Sequence, residues 1–169
     1  MTSASLHVPV ATWPTPLTHE VSALCPTRHA LSALVTGSST GPLCLWAVDS
    51  SCLLVPRIVL LGHTAPVVWI ASCLFEHSEA LVSLCSGGSL NVWDPRDGRC
   101  LCSASGPLLP TTTVGTLLPQ LSHVVVGGES AALVVVQLSA MATRCVLSPL
   151  DGWCLAVATS NGSAEQRAI

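Results

Sequence analysis

The chain has 169 residues, of which 50% are hydrophobic and only 9% are charged, and its formal net charge is −3. Its six basic residues are all arginines, which excludes P-loop and Schiff-base lysine chemistry and offers no basic surface for a nucleic acid. The apolar runs are short or interrupted by proline, so we expect buried strands rather than membrane-spanning helices, and no secretory signal.

Alternating apolar residues and turn residues predict strands along almost the whole chain. A strand at 6–13 is followed by a group of four at 21–25, 33–37, 43–46 and 52–55, a second group at 67–71, 80–84, 90–93 and 99–103, and a third at about 112–118, 123–127, 132–137 and 143–147. A further strand is expected at 153–158, and residues 159–169 follow no pattern. The nine cysteines, odd in number and spread through these strands, are expected to be reduced and buried.

Two of the predicted hairpins repeat each other. The stretch LVTGSSTGPLCLWA (34–47) aligns without gaps on LVSLCSGGSLNVWD (81–94), so that Trp46 and Trp93 lie 47 residues apart. A third, weaker copy at 123–138 keeps the strand-turn-strand pattern without the Trp. A His precedes a short apolar strand upstream of each of the first two copies, at His19 and His63. Self-similarity at such a period indicates an array of one repeated unit.

A His, a short strand and a hairpin ending in Trp-Asp at this spacing resemble the WD repeat, the unit of one class of β-propeller. The fold class that this resemblance implies is all-β: an incomplete WD-repeat β-propeller of about three four-stranded antiparallel blades, not closed. The partial propeller would span 1–158, with blades at about 17–60, 61–106 and 111–148 and the start of a fourth at about 150–158. Propellers typically have about four to eight blades, so two sheet edges would stay open.

The resemblance to WD repeats also implies a hydrogen-bonded chain of side chains within each blade. This structural network would consist of Trp93, Ser83 and His63 in the second repeat and of Trp46, Thr36 and His19 in the first. An indole N–H only donates, while a hydroxyl both donates and accepts, so a hydroxyl can link the Trp to the His. The Asp that ends the chain in WD repeats is replaced by Gly87 and Thr40.

The segments VPVATWPTPLTHEVSAL, LVTGSSTGPLCLW, LLGHTAPV, LNVWDPRDGRC and LVVVQLSAMATRCVLSPLDGW follow one another over most of residues 8 to 158. Together they resemble the amino-terminal region of the rabconnectin-3 beta-subunit family of WD-repeat proteins. The resemblance implies an amino-terminal piece of a longer, non-enzymatic cytoplasmic scaffold, peripherally attached to vesicles. Its partners would be the rabconnectin alpha subunit and subunits of the vacuolar proton pump, whose assembly and acidification it would regulate.

Other residue patterns leave other functions open. The stretch GSSTG (37–41) matches the G-x-S-x-G of serine hydrolases at Ser39, but it lies between two strands instead of between a strand and a helix. Cys100-x-Cys102 lacks the second ligand pair of a structural zinc site, and Asp94 and Asp97 suit the capping of a turn. We therefore expect no catalytic residue, no cofactor and no metal ligand.

Two further alternatives remain for the function. The chain could be a generic WD-repeat adaptor, for instance a ubiquitin-ligase substrate receptor, or a fragment without independent activity. The candidate contact loops are 64–66 and 86–89 on one rim of the blades and 94–98 on the other.

Overall fold

A computed structural model of the chain describes residues 20–27, 34–104, 108–109, 111–118, 122–147 and 157. The predicted strand at 6–13, the tail at 159–169 and all of the predicted strand at 153–158 except Val157 lie outside the described residues. Every regular element within the described residues is a strand. None of these residues belongs to a helix that is long and apolar enough to cross a bilayer.

The described residues form three antiparallel sheets, each made of four strands in chain order. Sheet 1 consists of β1 (Val21–Pro26), β2 (Leu34–Ser38), β3 (Leu43–Val48) and β4 (Leu54–Leu60). Sheet 2 consists of β5 (Val67–Phe75), β6 (Ser78–Cys85), β7 (Leu90–Trp93) and β8 (Cys100–Ala104). Sheet 3 consists of β9 (Thr112–Leu118), β10 (His123–Gly128), β11 (Leu133–Gln137) and β12 (Ala142–Leu147). The prediction of an all-β chain with three four-stranded antiparallel sheets is therefore confirmed for this part of the chain.

The predicted strand bounds are most in error at β4 and at the hairpin of β5 and β6, for different reasons. The sequence predicts β4 at 52–55, ending before Pro56, whereas the strand extends from Leu54 to Leu60. Because β4 is an edge strand that pairs with β3 alone, a residue without an N–H is tolerated in it. The β5–β6 hairpin is longer than predicted because it turns on Glu76 and His77, whose φ angles are 48° and 68° although neither residue is Gly or Asn.

The three sheets share backbone hydrogen bonds at equivalent places. In each sheet the residue after the second strand donates its N–H to the carbonyl before the first strand, over 3.0 Å from Ser39 to Glu20, 2.8 Å from Ser86 to Pro66 and 3.2 Å from Glu129 to Thr111. The turns after β2 and β6 are also alike, because each contains a Gly of positive φ, Gly41 at 110° and Gly88 at 79°. The 47-residue repeat seen in the sequence is thus a repeat of backbone conformation.

The sheets stack in chain order, and their first strands meet. Strand β5 contacts β1 and β2 on one side and β9 on the other. One hydrophobic cluster joins sheets 1 and 2, and it includes Val35, Leu45, Leu81 and Trp93. A second cluster joins sheets 2 and 3, and it includes Val82, Val92, Val124 and Val136. Sheet 2 is therefore covered on both of its faces.

Alternation along the strands gives every sheet two faces. We call the face toward the preceding sheet the front face and the face toward the following sheet the back face. In sheet 2, Leu81, Ser83 and Trp93 lie on the front face, whereas Val82 and Val92 lie on the back face. The repeat therefore presents the Trp and its hydroxyl partner at the interface with the preceding sheet.

Two polar side chains bridge sheets 1 and 2 at opposite edges. Near the first strands, the Ser22 hydroxyl donates to the carbonyl of Val67 over 2.6 Å. At the outer edge, the Arg57 guanidinium on β4 donates to the carbonyls of Pro95 and Arg96, over 3.2 and 3.1 Å. Both contacts satisfy carbonyls of sheet 2 and fix its position against sheet 1.

The expectation of buried cysteines holds for only part of the set. Of the eight cysteines in the described residues, all are free thiols, and Cys52, Cys100 and Cys145 are exposed. These three lie in the turn before β4 or on β8 and β12, edge strands that each pair with a single strand among the described residues. Burial raises the pKa of Cys44 and Cys73 to about 11, so these thiols are poor nucleophiles.

The close approach of sheets 1 and 2 gives a test of their packing. A Cβ added at Gly37 would lie 2.5 Å from Val67 Cγ1, whereas one added at Gly87 would meet nothing closer than 3.5 Å. We expect Gly37→Ala to lower the free energy of unfolding by about 1–3 kcal/mol through overpacking. Gly87→Ala is the matched control and should leave it unchanged or slightly raised. Chemical denaturation of the full chain measures both, and equal stabilities would contradict the stacking.

Candidate functional site

The indole N–H groups of two tryptophans bond to hydroxyls at equivalent positions of sheets 1 and 2. Trp46 Nε1 donates to Thr36 Oγ1 over 2.8 Å, and Trp93 Nε1 donates to Ser83 Oγ over 2.8 Å. The strand register explains why the two bonds match. In each sheet the Trp pairs with a Leu of the neighbouring strand, and the hydroxyl residue lies two positions after that Leu. The same bond therefore recurs 47 residues apart.

In sheet 2 the network continues to His63, which lies between β4 and β5. His63 Nε2 is 2.6 Å from Ser83 Oγ, and the opposite ring nitrogen, Nδ1, is 2.9 Å from Ser89 Oγ. The imidazole also packs edge-on against Trp93, with ring centroids 6.2 Å apart. The structure thus brings His63, Ser83 and Trp93 together. Because all three are buried, with His63 only 6% exposed, the site is nearly dry.

The chemistry of the indole fixes the direction of the hydrogen bond between Trp93 and Ser83. Because the Trp93 indole can only donate, Ser83 Oγ accepts from it, and the Ser83 hydroxyl can then donate to His63 Nε2. In that tautomer the imidazole proton sits on Nδ1 and donates to Ser89; in the other tautomer Nε2 donates to Ser83 and the Ser89 hydroxyl donates to Nδ1. Burial lowers the pKa of His63 from 6.5 to about 4, which keeps the ring neutral, so one ring nitrogen donates and the other accepts. Across the described residues, no buried side-chain nitrogen or oxygen lacks a partner.

Ser89 is the member of the network that the sequence analysis missed. In WD repeats an Asp ends the hydrogen-bonded network, and the resemblance placed that position at Gly87. In the structure the residue that bonds to His63 Nδ1 is Ser89, just before β7. Its Oγ also lies 3.3 Å from the Cys85 thiol. The signal was a hydroxyl directly after Gly88, whose positive φ of 79° turns the chain back toward β6.

Sheet 1 contains only the first bond of the network within the described residues. His19, the predicted third member, lies outside them. Pro42 occupies the position equivalent to Ser89, so it supplies no hydroxyl there. The Thr40 side chain, at the position of the absent Asp, lies 2.9 Å from Ser38 Oγ.

Sheet 3 replaces the whole network with apolar side chains. The shared backbone hydrogen bonds place Leu108, Val126, Ala132 and Val136 at the positions of His63, Ser83, Ser89 and Trp93. All four belong to or pack against the hydrophobic cluster between sheets 2 and 3. Replacing every partner at once leaves no buried polar group unsatisfied, which is why the substitution is tolerated.

The other candidate residues have structural partners. The Ser39 hydroxyl donates to the Glu20 carboxylate over 3.0 Å and lies in the turn between β2 and β3. Asp94 and Asp97 each accept an N–H from the residue two positions later, over 2.9 and 3.0 Å, and so cap the turn.

Neither cysteine of the Cys100-x-Cys102 pair is fully buried, and the strand pairing shifts register between their partners. No group of three His, Cys, Asp or Glu able to hold a metal occurs in the described ranges.

The comparisons with known proteins give no family. No protein-family model matches this chain, and no curated protein matches it.

Removing the shared hydroxyl tests the network. Ser83→Ala leaves the buried Trp93 N–H and His63 Nε2 without their partner. We expect each unsatisfied group to lower the free energy of unfolding by about 1–3 kcal/mol. The matched change in sheet 1, Thr36→Ala, should cost less, because Trp46 is half-buried and can bond to water. Denaturant midpoints of both variants and the parent measure the difference. A loss from Ser83→Ala no larger than that from Thr36→Ala would contradict the role of the network.

The neutral state of His63 gives a pH dependence. Its pKa is about 4 in the folded chain and 6.5 when unfolded, so between these values the unfolded state binds the extra proton. The contribution of neutral His63 to the free energy of unfolding is fully present above pH 6.5. It is lost as the pH drops toward 4, which lowers the free energy of unfolding by up to about 3 kcal/mol. Unfolding measured from pH 4 to 8 should show this slope, and His63→Gln should remove it. His77→Gln, at an exposed turn, is the control and should retain the slope.

Proposed function

We propose that the three sheets are consecutive blades of a WD-repeat β-propeller and that the chain is a non-enzymatic protein-binding scaffold. The observation that carries the proposal is the indole-to-hydroxyl bond at the same register in two successive sheets, extended in the second to His63. This is the order of groups that the resemblance to WD repeats implies. Its recurrence supports a repeat defined by side-chain chemistry as well as by backbone conformation.

The arrangement of the sheets supports the same proposal. Every sheet is a meander of four consecutive strands, the first strands β1, β5 and β9 contact one another in order, and neighbouring sheets pack face to face. Blades of a propeller are arranged in this way around their axis. The last strands β4, β8 and β12 then lie farthest from the axis.

The properties of the network favour a structural role over catalysis. Both ring nitrogens of His63 are engaged, and its lowered pKa makes it a weak base. Ser39, the residue that suggested a hydrolase, contacts a carboxylate instead of an imidazole. The network links β6 and β7 to the segment that enters sheet 2, so it stabilises the blade that displays the loops.

The loops at the two ends of the blades are the proposed contact surfaces. Residues 64–66 and 86–89 lie at the same end, because Ser86 donates its N–H to the Pro66 carbonyl over 2.8 Å. The turn at 94–98 lies at the other end of β7. By its resemblance to the rabconnectin-3 beta-subunit family, the chain would use such loops to bind the rabconnectin alpha subunit or subunits of the vacuolar proton pump, at the surface of vesicles.

Affinity capture of the tagged full chain from cells, followed by quantitative mass spectrometry, tests this function. We expect vacuolar proton-pump subunits to be enriched, and Thr64→Arg, at an exposed position of one rim, to reduce that enrichment several-fold. Asp97→Arg, exposed on the opposite rim, is the control and should retain it. Capture of ubiquitin-ligase core subunits in place of pump subunits would favour the adaptor alternative, and the absence of both would refute the proposed partners.

A further inference from the structure

Ser89 is the member of the sheet 2 network that solvent reaches. Its side chain is half-buried, whereas the other three members are almost completely buried, with His63 6% exposed, Ser83 0% and Trp93 2%. Ser89 ends the turn between β6 and β7, close to the exposed Gly87, and a Cβ added at Gly87 would meet nothing closer than 3.5 Å. The hydroxyl therefore lies at the open end of a buried chain of hydrogen bonds.

An imidazole nitrogen faces this hydroxyl where WD repeats have a carboxylate. His63 Nδ1 is 2.9 Å from Ser89 Oγ, and Nε2 is bonded to Ser83. The other group in contact with Ser89 Oγ is the Cys85 thiol, at 3.3 Å. Burial lowers the pKa of His63 to about 4, and no charged side chain of the described residues contributes to that shift. The network thus ends on a neutral hydroxyl in place of an anion.

The rim around Ser89 carries no charge. Residues 64–66 and 86–89, which lie at the same end of sheet 2, read Thr-Ala-Pro and Ser-Gly-Gly-Ser. A phosphoryl group on a serine carries about 1.5 to 2 negative charges at neutral pH and three strong acceptor oxygens. One such group on Ser89 would make the rim anionic and would supply the acceptor that the network lacks.

We propose that Ser89 is a phosphorylation site and that its phosphate takes the place of the carboxylate that ends the network in WD repeats. In the reaction, Ser89 Oγ attacks the γ-phosphorus of ATP, a new O–P bond forms and the bond to the β,γ-bridging oxygen breaks. ADP leaves, and the hydroxyl proton passes to the catalytic base of a protein kinase. The product places acceptor oxygens beside His63 Nδ1.

The phosphate would change the charge of the network. A negative charge beside His63 favours the imidazolium, in which both ring nitrogens donate. Nδ1 then donates to the phosphate, and Nε2 donates to Ser83 Oγ, which still accepts from the Trp93 indole. Every N–H of the network keeps an acceptor, so the modification is compatible with the fold of sheet 2. It would switch both His63 and the proposed contact rim from neutral to charged.

Mass spectrometry of the full chain, isolated with phosphatases inhibited from the cells that make it, tests the modification. Cleavage after arginine releases residues 58–96 as one peptide, and its fragmentation locates the phosphate. We expect phosphate on Ser89, and Ser89→Ala should remove it without adding it elsewhere. A peptide that is never phosphorylated, or one that carries its phosphate only at another serine, would overturn the proposal. Those other serines are Ser72, Ser78, Ser83 and Ser86.

NMR titration of the imidazole protons tests the role of the anion in the network. Ser89→Asp places a carboxylate near His63 Nδ1, and we expect it to raise the pKa of His63 by about one to three units over the parent chain. Ser89→Asn is the uncharged matched control and should keep the parent value, while the exposed His77 serves as internal reference. An unchanged His63 pKa in Ser89→Asp would overturn the pairing of the anion with the imidazole. Neither measurement involves proton-pump subunits, so failure of both would leave the proposed function standing.

Discussion

The hydroxyl of Ser83 is the group on which the described structure depends most. It accepts from the Trp93 indole and shares a hydrogen bond with His63 Nε2, and so ties two strands of sheet 2 to the segment that arrives from sheet 1. All three residues are almost completely buried, where a hydrogen bond is strong and an unpaired polar group is costly. A conformation that misplaced Ser83 would leave both the Trp93 indole and His63 Nε2 without this partner. The network thus selects one alignment of sheets 1 and 2 among the many that apolar packing alone would permit.

Sheet 3 shows that the same backbone can do without this network, provided that all of its members are exchanged together. Leu108, Val126, Ala132 and Val136 fill the equivalent space and merge into the cluster shared with sheet 2. Aliphatic packing is less directional than a chain of hydrogen bonds, so this interface is aligned by shape and by backbone contacts, such as the bond from Thr112 N–H to the Ser86 carbonyl. The two interfaces are therefore stabilised by different physical means within one repeated geometry.

Most of the fold could be predicted from the sequence because its signals are local. Alternating apolar residues marked the strands, and the glycines of the tight turns, Gly41 and Gly88, marked the hairpins. The features that were missed depend on context. The turn at Glu76 and His77 has no sequence signal, and β4 continues through Pro56 only because its outer edge is unpaired among the described residues. Ser89 was missed because its role depends on distance to His63 in space, which the linear spacing of a family pattern does not report.

The meander order of the sheets separates two kinds of stabilisation. In the described residues every backbone ladder is completed by four consecutive strands, so no sheet borrows a strand from another. The hydrophobic faces, by contrast, are completed only between neighbours. Adding or deleting one unit of the chain would therefore leave all remaining ladders intact and would alter only how many apolar faces meet water. Such an architecture can gain one sheet at a time by duplication of a single repeat. Each duplication changes only the apolar area that is buried and leaves the strand order of the other sheets unchanged.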